Sequence, residues 1–339
     1  MPPSPFRGFA APSLSRRERE EPPKAAKGEG DAGAGVAIRF RLGTRGSPLA
    51  LTQANMVRDA LCAAHGWSAD EVALVVIRTT GDRVQDRPLA EIGGKALWTK
   101  ELDRALLERE IDAAVHSMKD VETIRPPAIR IAAMLPRADV RDRLIGAETI
   151  AALPDGAVVG TSSPRRRAQL LRARPDLSVV TFRGNVDTRL AKLAAGEADA
   201  TLLAAAGLDR LGRDGIGRAI PTDTMLPAPA QGAVGIEVRN EDAGAATIVG
   251  AIDDPATSAC VLAERAFLAA LGADCHSPVA ALAALAGEML TLRAELIAED
   301  GSACVEGSGE GTDGALVAAE LARALLDRAP DAIRRLFRP

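Results

Sequence analysis

The loop Gly272-Ala-Asp-Cys275-His276-Ser-Pro278 holds a cysteine between a glycine and a proline. A thiol in such a loop can be a covalent attachment point, although a lone cysteine is more often an inert packing residue. The cysteines at 62, 260 and 304 fall in apolar helical or strand-like segments and read as packing residues. A second set is cationic. Arg45, Arg165, Arg166, Arg183, Arg189 and Arg210 all follow strand-like segments, at the junction or on the helix that comes next. Guanidinium groups offer bidentate donors to carboxylate or phosphate. Each charge-assisted bond contributes roughly 1.5–3 kcal/mol, so several could hold a polycarboxylate. Each arginine taken singly could equally be a solvated surface cation. Asp120 closes His116-Ser-Met-Lys119-Asp120 and is a lone carboxylate among these cations. It could bind a cationic group or move a proton, or it could simply pair with Lys119 or an arginine. His116 reads as a structural histidine. Together the thiol and the cations point to chemistry on a polyanion tethered to the protein.

These residues need elements to place them. Residues 36–42 alternate apolar and polar as a strand does. Ser47-Pro48 then opens a helix to about residue 64, with Ser47 as N-cap and Pro48 in its first turn. Residues 71–80 form a β-branched strand, 98–109 a helix and 111–117 a buried strand. The polar stretch 81–94 ends in a glycine pair and reads as a mobile loop. The alternation restarts near 140, with strands at 157–160, 178–183 and 199–204. The segment Thr161-Ser-Ser163-Pro164 caps a helix carrying Arg165 and Arg166, and 186–195 forms another helix. A free helix N-terminus favours an anion there, and ligands of α/β folds gather at the carboxyl ends of strands. After a Pro-rich connector at 226–230, residues 233–238 form a strand able to return to the first sheet. From about 255 the chain changes to a long Ala-rich helix, three strands and a final helix. The pattern predicts two α/β domains and a smaller C-terminal α+β domain. The expected divisions are 1–35 as a disordered tail, 36–137 with 232–252 as domain 1, 138–231 as domain 2, and 253–339 as the third domain carrying Cys275.

Composition narrows the classes. The chain has 339 residues, 42 Lys and Arg against 46 Asp and Glu, and a net charge of −4. With 2% aromatics and no Tyr, it lacks the basic footprint and stacking groups of a nucleic-acid binder. Four irregularly spaced cysteines fit a reduced, cytoplasmic protein and no zinc site. No apolar run is long enough to span a membrane, and residues 1–35 do not form a secretory signal.

Several longer motifs carry a resemblance. They are Arg41-Leu-Gly-Thr-Arg-Gly-Ser-Pro-Leu-Ala-Leu51, Gly93-Gly-Lys-Ala-Leu-Trp-Thr-Lys-Glu101, Ala114-Val-His-Ser-Met-Lys-Asp120, Val159-Gly-Thr-Ser-Ser-Pro-Arg-Arg166, Arg183-Gly-Asn-Val-Asp-Thr-Arg-Leu190, Ala206-Gly-Leu-Asp-Arg-Leu-Gly212 and Gln231-Gly-Ala-Val-Gly-Ile-Glu237. In this order, over about residues 37–338, the chain resembles the porphobilinogen deaminase (hydroxymethylbilane synthase) family. The resemblance implies an enzyme of tetrapyrrole and heme biosynthesis. It would join four porphobilinogen molecules head to tail, releasing ammonia at each step, and yield linear hydroxymethylbilane. It also implies a dipyrromethane primer bound by a thioether to Cys275. Lys119, Ser163, Arg165, Arg166, Arg183 and Arg189 would hold that cofactor. Arg45, Ser47, Arg210 and Lys95 would bind substrate, and Asp120 would be the catalytic carboxylate. Loop 82–94 would be a lid. The implied fold sets two domains of the type II periplasmic-binding-protein kind around a hinged cleft. The implied protein is a monomer, with a transient hand-off to uroporphyrinogen III synthase. The chain departs from the family pattern at Ala273-Asp274, where Gly-Gly is usual, and at His276-Ser277, Ala96 and Trp98. Asp274 is expected to raise the pKa of the neighbouring thiol.

Two other classes fit parts of the chain. A cytosolic anion-binding protein of the periplasmic-binding-protein type would use the arginine cleft but has no need of a third domain bearing Cys275. A cysteine hydrolase would need a separate histidine base, and neither His65 nor His116 lies in a suggestive motif.

Overall fold

The structure, a computed structural model, describes residues 37–78 and 99–337. The expected tail, the loop 82–94 and Lys95 lie outside the described residues.

The first sheet has strand order β2-β1-β3-β10-β4. Its strands are β1 (Phe40–Arg45), β2 (Val72–Ile77), β3 (Ala113–Ser117), β4 (Ile129–Met134) and β10 (Val234–Arg239). β2, β1 and β3 run parallel, and β10 is antiparallel to both its neighbours. Helix α1 (Pro48–His65) buries Gln53, Ala54, Val57 and Leu61 against this sheet, and α2 (Lys100–Leu107) packs Leu102, Ala105 and Leu106. That helical spacing is the stripe expected of an amphipathic helix on a sheet.

The second sheet repeats the plan as β7-β6-β8-β5-β9. Its strands are β5 (Asp142–Ile145), β6 (Val158–Gly160), β7 (Ser178–Val180), β8 (Ala200–Ala204) and β9 (Arg218–Ala219). Here β5 is the antiparallel strand. Its helices are α3 (Pro164–Ala173), α4 (Val186–Ala194) and α5 (Ala205–Arg210). In each sheet the antiparallel strand follows a crossing from the other one, β5 after the first and β10 after the second. The return of 233–238 to the first sheet is therefore observed. Helix α6 (Ala243–Gly250) follows β10.

The third sheet is an antiparallel meander of β11 (Val279–Ala286), β12 (Met289–Ile297) and β13 (Cys304–Gly311). Helices α7 (Pro255–Ala270) and α8 (Gly314–Arg328) contribute Phe267 and Leu325 to one core with Leu292 and Leu296 of the sheet. A short helix α9 (Asp331–Arg334), followed by a 3-10 turn at Arg335–Phe337, was not anticipated. Both five-stranded sheets with flanking helices, and the smaller meander domain, give the α/β class and layered plan expected. Among the described residues, no helix is long and apolar enough to cross a membrane.

Candidate active site

The parallel strands of both large sheets end in loops that hold the candidate residues, where α/β sheets place their ligands. β1 ends at Arg45, and Ser47 caps α1 by accepting from Ala50 N at 3.3 Å. β3 runs into a 3-10 turn, Met118–Asp120. Met118 is buried under that turn because β10 carries Gly235 opposite it. A Cβ at Gly235 would lie 2.1 Å from the Met118 sulfur. β6 leads to Ser163, whose Oγ caps α3 by accepting from Arg166 N at 3.4 Å. After β7 the chain turns at Gly184, where φ is +107°. Few side chains tolerate that conformation. Asn185 then caps α4, which carries Arg189. β8 leads directly into α5, which ends at Arg210.

The two sheets meet through these loops. Gln53 of α1 bonds Ser117 Oγ at 2.8 Å, tying the first helix to the strand end just before Lys119. Gly207 of α5 lies beside Leu49 of α1, so the first turns of helices from different sheets adjoin.

The cations are under-neutralised. Arg165 and Arg166 are 3% and 5% exposed and share one carboxylate, Asp142, each at 2.7 Å. Burial alone would raise the Asp142 carboxyl, but the two guanidinium groups outweigh it and hold it far below the ordinary range. The Nε atoms of Arg165, Arg166 and Arg210 are buried with no hydrogen-bond partner. Burial, opposed by Asp120, brings the Lys119 ammonium down to about 8, and nearby Arg166 and Arg189 contribute to that fall. Burial and Arg166 lower Arg189 to about 10 against the pull of Asp120. Arg189 donates to Gly184 O at 3.0 Å and to Ser162 Oγ at 3.4 Å. Arg210 donates to Gly232 O at 2.7 Å, on the second crossing, and burial also lowers it. Buried positive charge short of counter-charge is costly and favours an incoming anion.

Asp120 is the common neighbour. It acts electrostatically on Lys119, on Arg189 and on Cys275. Cys275 is exposed, yet surrounding protein strips much of its hydration. That burial, with the charges of Asp120, Asp274 and Glu122, pushes the thiol up to about 12. The effect expected of Asp274 is therefore present. Its carboxylate is held by His276 N at 2.9 Å.

Lys119, Asp120, Arg166, Arg189 and Cys275 thus share one electrostatic neighbourhood, and Ser163 caps the helix that carries Arg166. Arg165 lies one layer deeper, on Gln169, Leu226 O and Asp142. Arg45, Ser47 and Arg183 stand at strand-to-helix junctions, and Arg210 at the far end of the short helix after β8. The two spare histidines are occupied elsewhere. His65 Nε2 lies 2.9 Å from Ile248 O, and His116 Nε2 lies 3.1 Å from Glu237 without hydrogen-bond alignment. The histidine base of a cysteine hydrolase is therefore not supplied by either. Sequence reasoning missed Asp142, Gln169 and Gln231. Gln231 Nε2 reaches Asp142 at 2.9 Å and Val140 O at 2.7 Å. Gln231 stood in a quoted motif, but no spacing rule signals which arginines one distant aspartate will collect.

A dipyrromethane group carries acetate and propionate side chains. Desolvated cations, orphaned guanidinium N–H groups and an accessible thiol beside a carboxylate fit such a group. Comparisons with known proteins agree. Residues 40–247 match the family described as porphobilinogen deaminase, dipyromethane cofactor binding domain, and residues 258–327 match its C-terminal domain. The porphobilinogen deaminase of Sphingopyxis alaskensis is 57% identical over 304 residues, 88% of this chain and 96% of the relative. That of Paracoccus denitrificans is 55% identical over 296 residues, covering 86% and 95%. Among solved structures, the VFT2 domain of Bordetella pertussis BvgS is similar at a TM-score of 0.38 and 15% identity, over 64% of this chain and 86% of that one. A nutrient binding protein from Burkholderia cenocepacia bound to methionine gives a TM-score of 0.38 and 14% identity, over 64% and 92%. With both domain matches in order and relatives above half identity over nearly their whole length, the chain belongs to the porphobilinogen deaminase family.

Proposed function

We propose that Asp120 is the catalytic carboxylate of this hydroxymethylbilane synthase and Cys275 the point where its dipyrromethane cofactor is attached. The enzyme condenses four porphobilinogen molecules head to tail with release of ammonia, and liberates linear hydroxymethylbilane. The reading as an anion-binding receptor has no support beside this one.

When bound, the cofactor supplies a nucleophilic pyrrole carbon and an anchor for the growing chain. The protein does the rest. Loss of ammonia from the aminomethyl group of porphobilinogen leaves positive charge on the pyrrole. A fixed carboxylate in a partly dry cleft stabilises that charge as it develops. Asp120 is suited to this because it sits half-buried on a turn anchored by buried Met118, and its charge acts on both the cations and the thiol. Lys119, Ser163, Arg165, Arg166, Arg183 and Arg189 hold the cofactor's carboxylates, directly or by keeping the local potential positive. Arg45, Ser47, Arg210 and Lys95 orient the incoming substrate's acetate and propionate. Positioning of this kind converts a bimolecular condensation into an effectively unimolecular one.

The observation that carries the reading is the shared electrostatic neighbourhood of Asp120, Lys119, Arg189 and Cys275. It is tested by Asp120→Asn. The expected result is a kcat lower by about 10²–10⁴-fold, with a thermal midpoint close to that of the unaltered protein. A loss of less than about tenfold would remove Asp120 from the chemistry.

The same reading divides the chain at 36–137 with 232–252, 138–231 and 253–339, in keeping with the three sheets. It also makes the protein a cytoplasmic monomer that passes its unstable linear product transiently to uroporphyrinogen III synthase.

A further inference from the structure

The segment after Asp120 is gripped from the third domain. Arg265, on α7 and 7% exposed, donates from Nη1 to Val121 O at 3.2 Å, and from Nη2 to Glu122 O at 2.6 Å and Thr123 O at 3.1 Å. The segment bonds back. Thr123 Oγ1 donates at 2.8 Å to Ala273 O, two residues before Cys275. Arg265 forms no salt bridge among the described residues; Glu237 and Glu122 act on it only through space, and the hydrogen bonds given above all go to carbonyl oxygens. A buried guanidinium without a carboxylate in direct contact is expensive, and an apolar residue of similar volume would avoid the cost. What a guanidinium alone provides is a rigid planar fork of five donors, able to hold consecutive carbonyls of an irregular segment in one path.

We propose that Arg265 and Thr123 are positioning residues that fix the register between Asp120 and Cys275, so that the thiol meets its pyrrole partner where Asp120 stabilises positive charge. The inference rests on the roles given above to Asp120 and Cys275. In the attachment step the carbon–nitrogen bond of the aminomethyl group breaks and its electron pair leaves with nitrogen. The Cys275 sulfur bonds to the freed methylene carbon, and the thiol proton goes to the departing ammonia. Ordinary alkylation of the thiol gains nothing from Asp120, whose charge disfavours the thiolate, whereas this step requires both groups in register.

The test uses full-length, primer-free protein from a host unable to make porphobilinogen. Arg265→Gln, Arg265→Lys and Thr123→Val are compared with the unaltered chain. Intact mass follows two rates at Cys275, alkylation by neutral iodoacetamide and gain of pyrrole mass from added porphobilinogen. The expected result is alkylation no slower than in the unaltered chain in all variants, with attachment slowed about tenfold or more in both Arg265 variants and several-fold in Thr123→Val. Attachment at the normal rate in Arg265→Lys would overturn the proposal, since charge without the fork would then suffice. Both rates falling together would also overturn it, by making the contact a prop for the loop alone. No mass gain at Cys275 in the unaltered chain would instead overturn the attachment site, and this inference with it.

Discussion

At the scale of single residues, the cleft works by withholding partners. Lys119 stands near Asp120 and Asp142, but Arg166 and Arg189 also face it, and burial dominates all of them. Its pH behaviour follows. The folded-state value of about 8 lies below the ordinary 10.5. Between these values the folded protein binds fewer protons than the unfolded chain, so this group makes stability rise with pH across that window. Over the same window the cleft loses a positive charge. KM for porphobilinogen is therefore expected to climb as pH passes about 8, while thermal stability does not fall on account of this group. In Lys119→Met that limb of the KM profile should vanish and KM at pH 7 should be higher. A profile unchanged by the substitution would show that Lys119 does not touch substrate binding. Cys275 follows the opposite logic, because burial and the carboxylates around it keep the thiol protonated. Stray alkylation needs a thiolate, so an unprimed Cys275 is slow toward neutral electrophiles and suited to a cationic one.

At the scale of elements, short turns carry the chemistry and close packing beneath them sets their height. Gly235→Ala would drive a methyl into the Met118 sulfur, 2.1 Å away, directly under Lys119 and Asp120. Overpacking of this kind costs about 1–3 kcal/mol. The variant should lose that much stability by urea unfolding and lose kcat out of proportion, because the displaced turn carries the carboxylate. Normal kcat beside a full stability loss would contradict this account of the turn. The same scale shows what sequence patterning reveals. Helix α1 was legible from its Ser-Pro start, and β3 and β8 from short, mostly apolar segments between helical ones. Strand β4, Ile-Arg-Ile-Ala-Ala-Met, has a partial alternation and was overlooked, while β5 and β9 are too short to register a period. The strand expected over 178–183 ends at Val180, because Phe182 leaves the sheet to pack against Gly160. Asp120 and the arginines were legible as a set because each comes after a strand, and Cys275 from its loop between a glycine and a proline. Asp142 was not, since its partners lie 23 and 24 residues away and are joined only by the fold.

At the scale of the whole molecule, the two crossings and the third domain share one buried knot. Glu264 of α7 is fully buried and accepts from Arg137 at 2.7 and 2.9 Å, from Ala230 N at 2.6 Å and from Ala283 N at 2.8 Å. Arg137 lies on the first crossing and also donates to Gln231 O, on the second, at 3.0 Å. Gln231 in turn reaches Asp142 and so the paired Arg165 and Arg166. The connection between sheets is thus wired to the anion-binding cations. Removing one member of a buried ion pair costs about 3–5 kcal/mol. Glu264→Ala should lose that much in calorimetry and should weaken binding of porphobilinogen through the Gln231 link. A loss below about 1 kcal/mol would mean that the knot does not hold the crossings together.

The central claim is that Cys275 carries the cofactor beside Asp120. Intact mass of the purified protein under denaturing conditions, followed by peptide mapping, tests it most directly. The account predicts extra mass equal to two linked pyrrole units, confined to the peptide containing Cys275. Protein supplied with porphobilinogen whose Cys275 peptide is unmodified would contradict it.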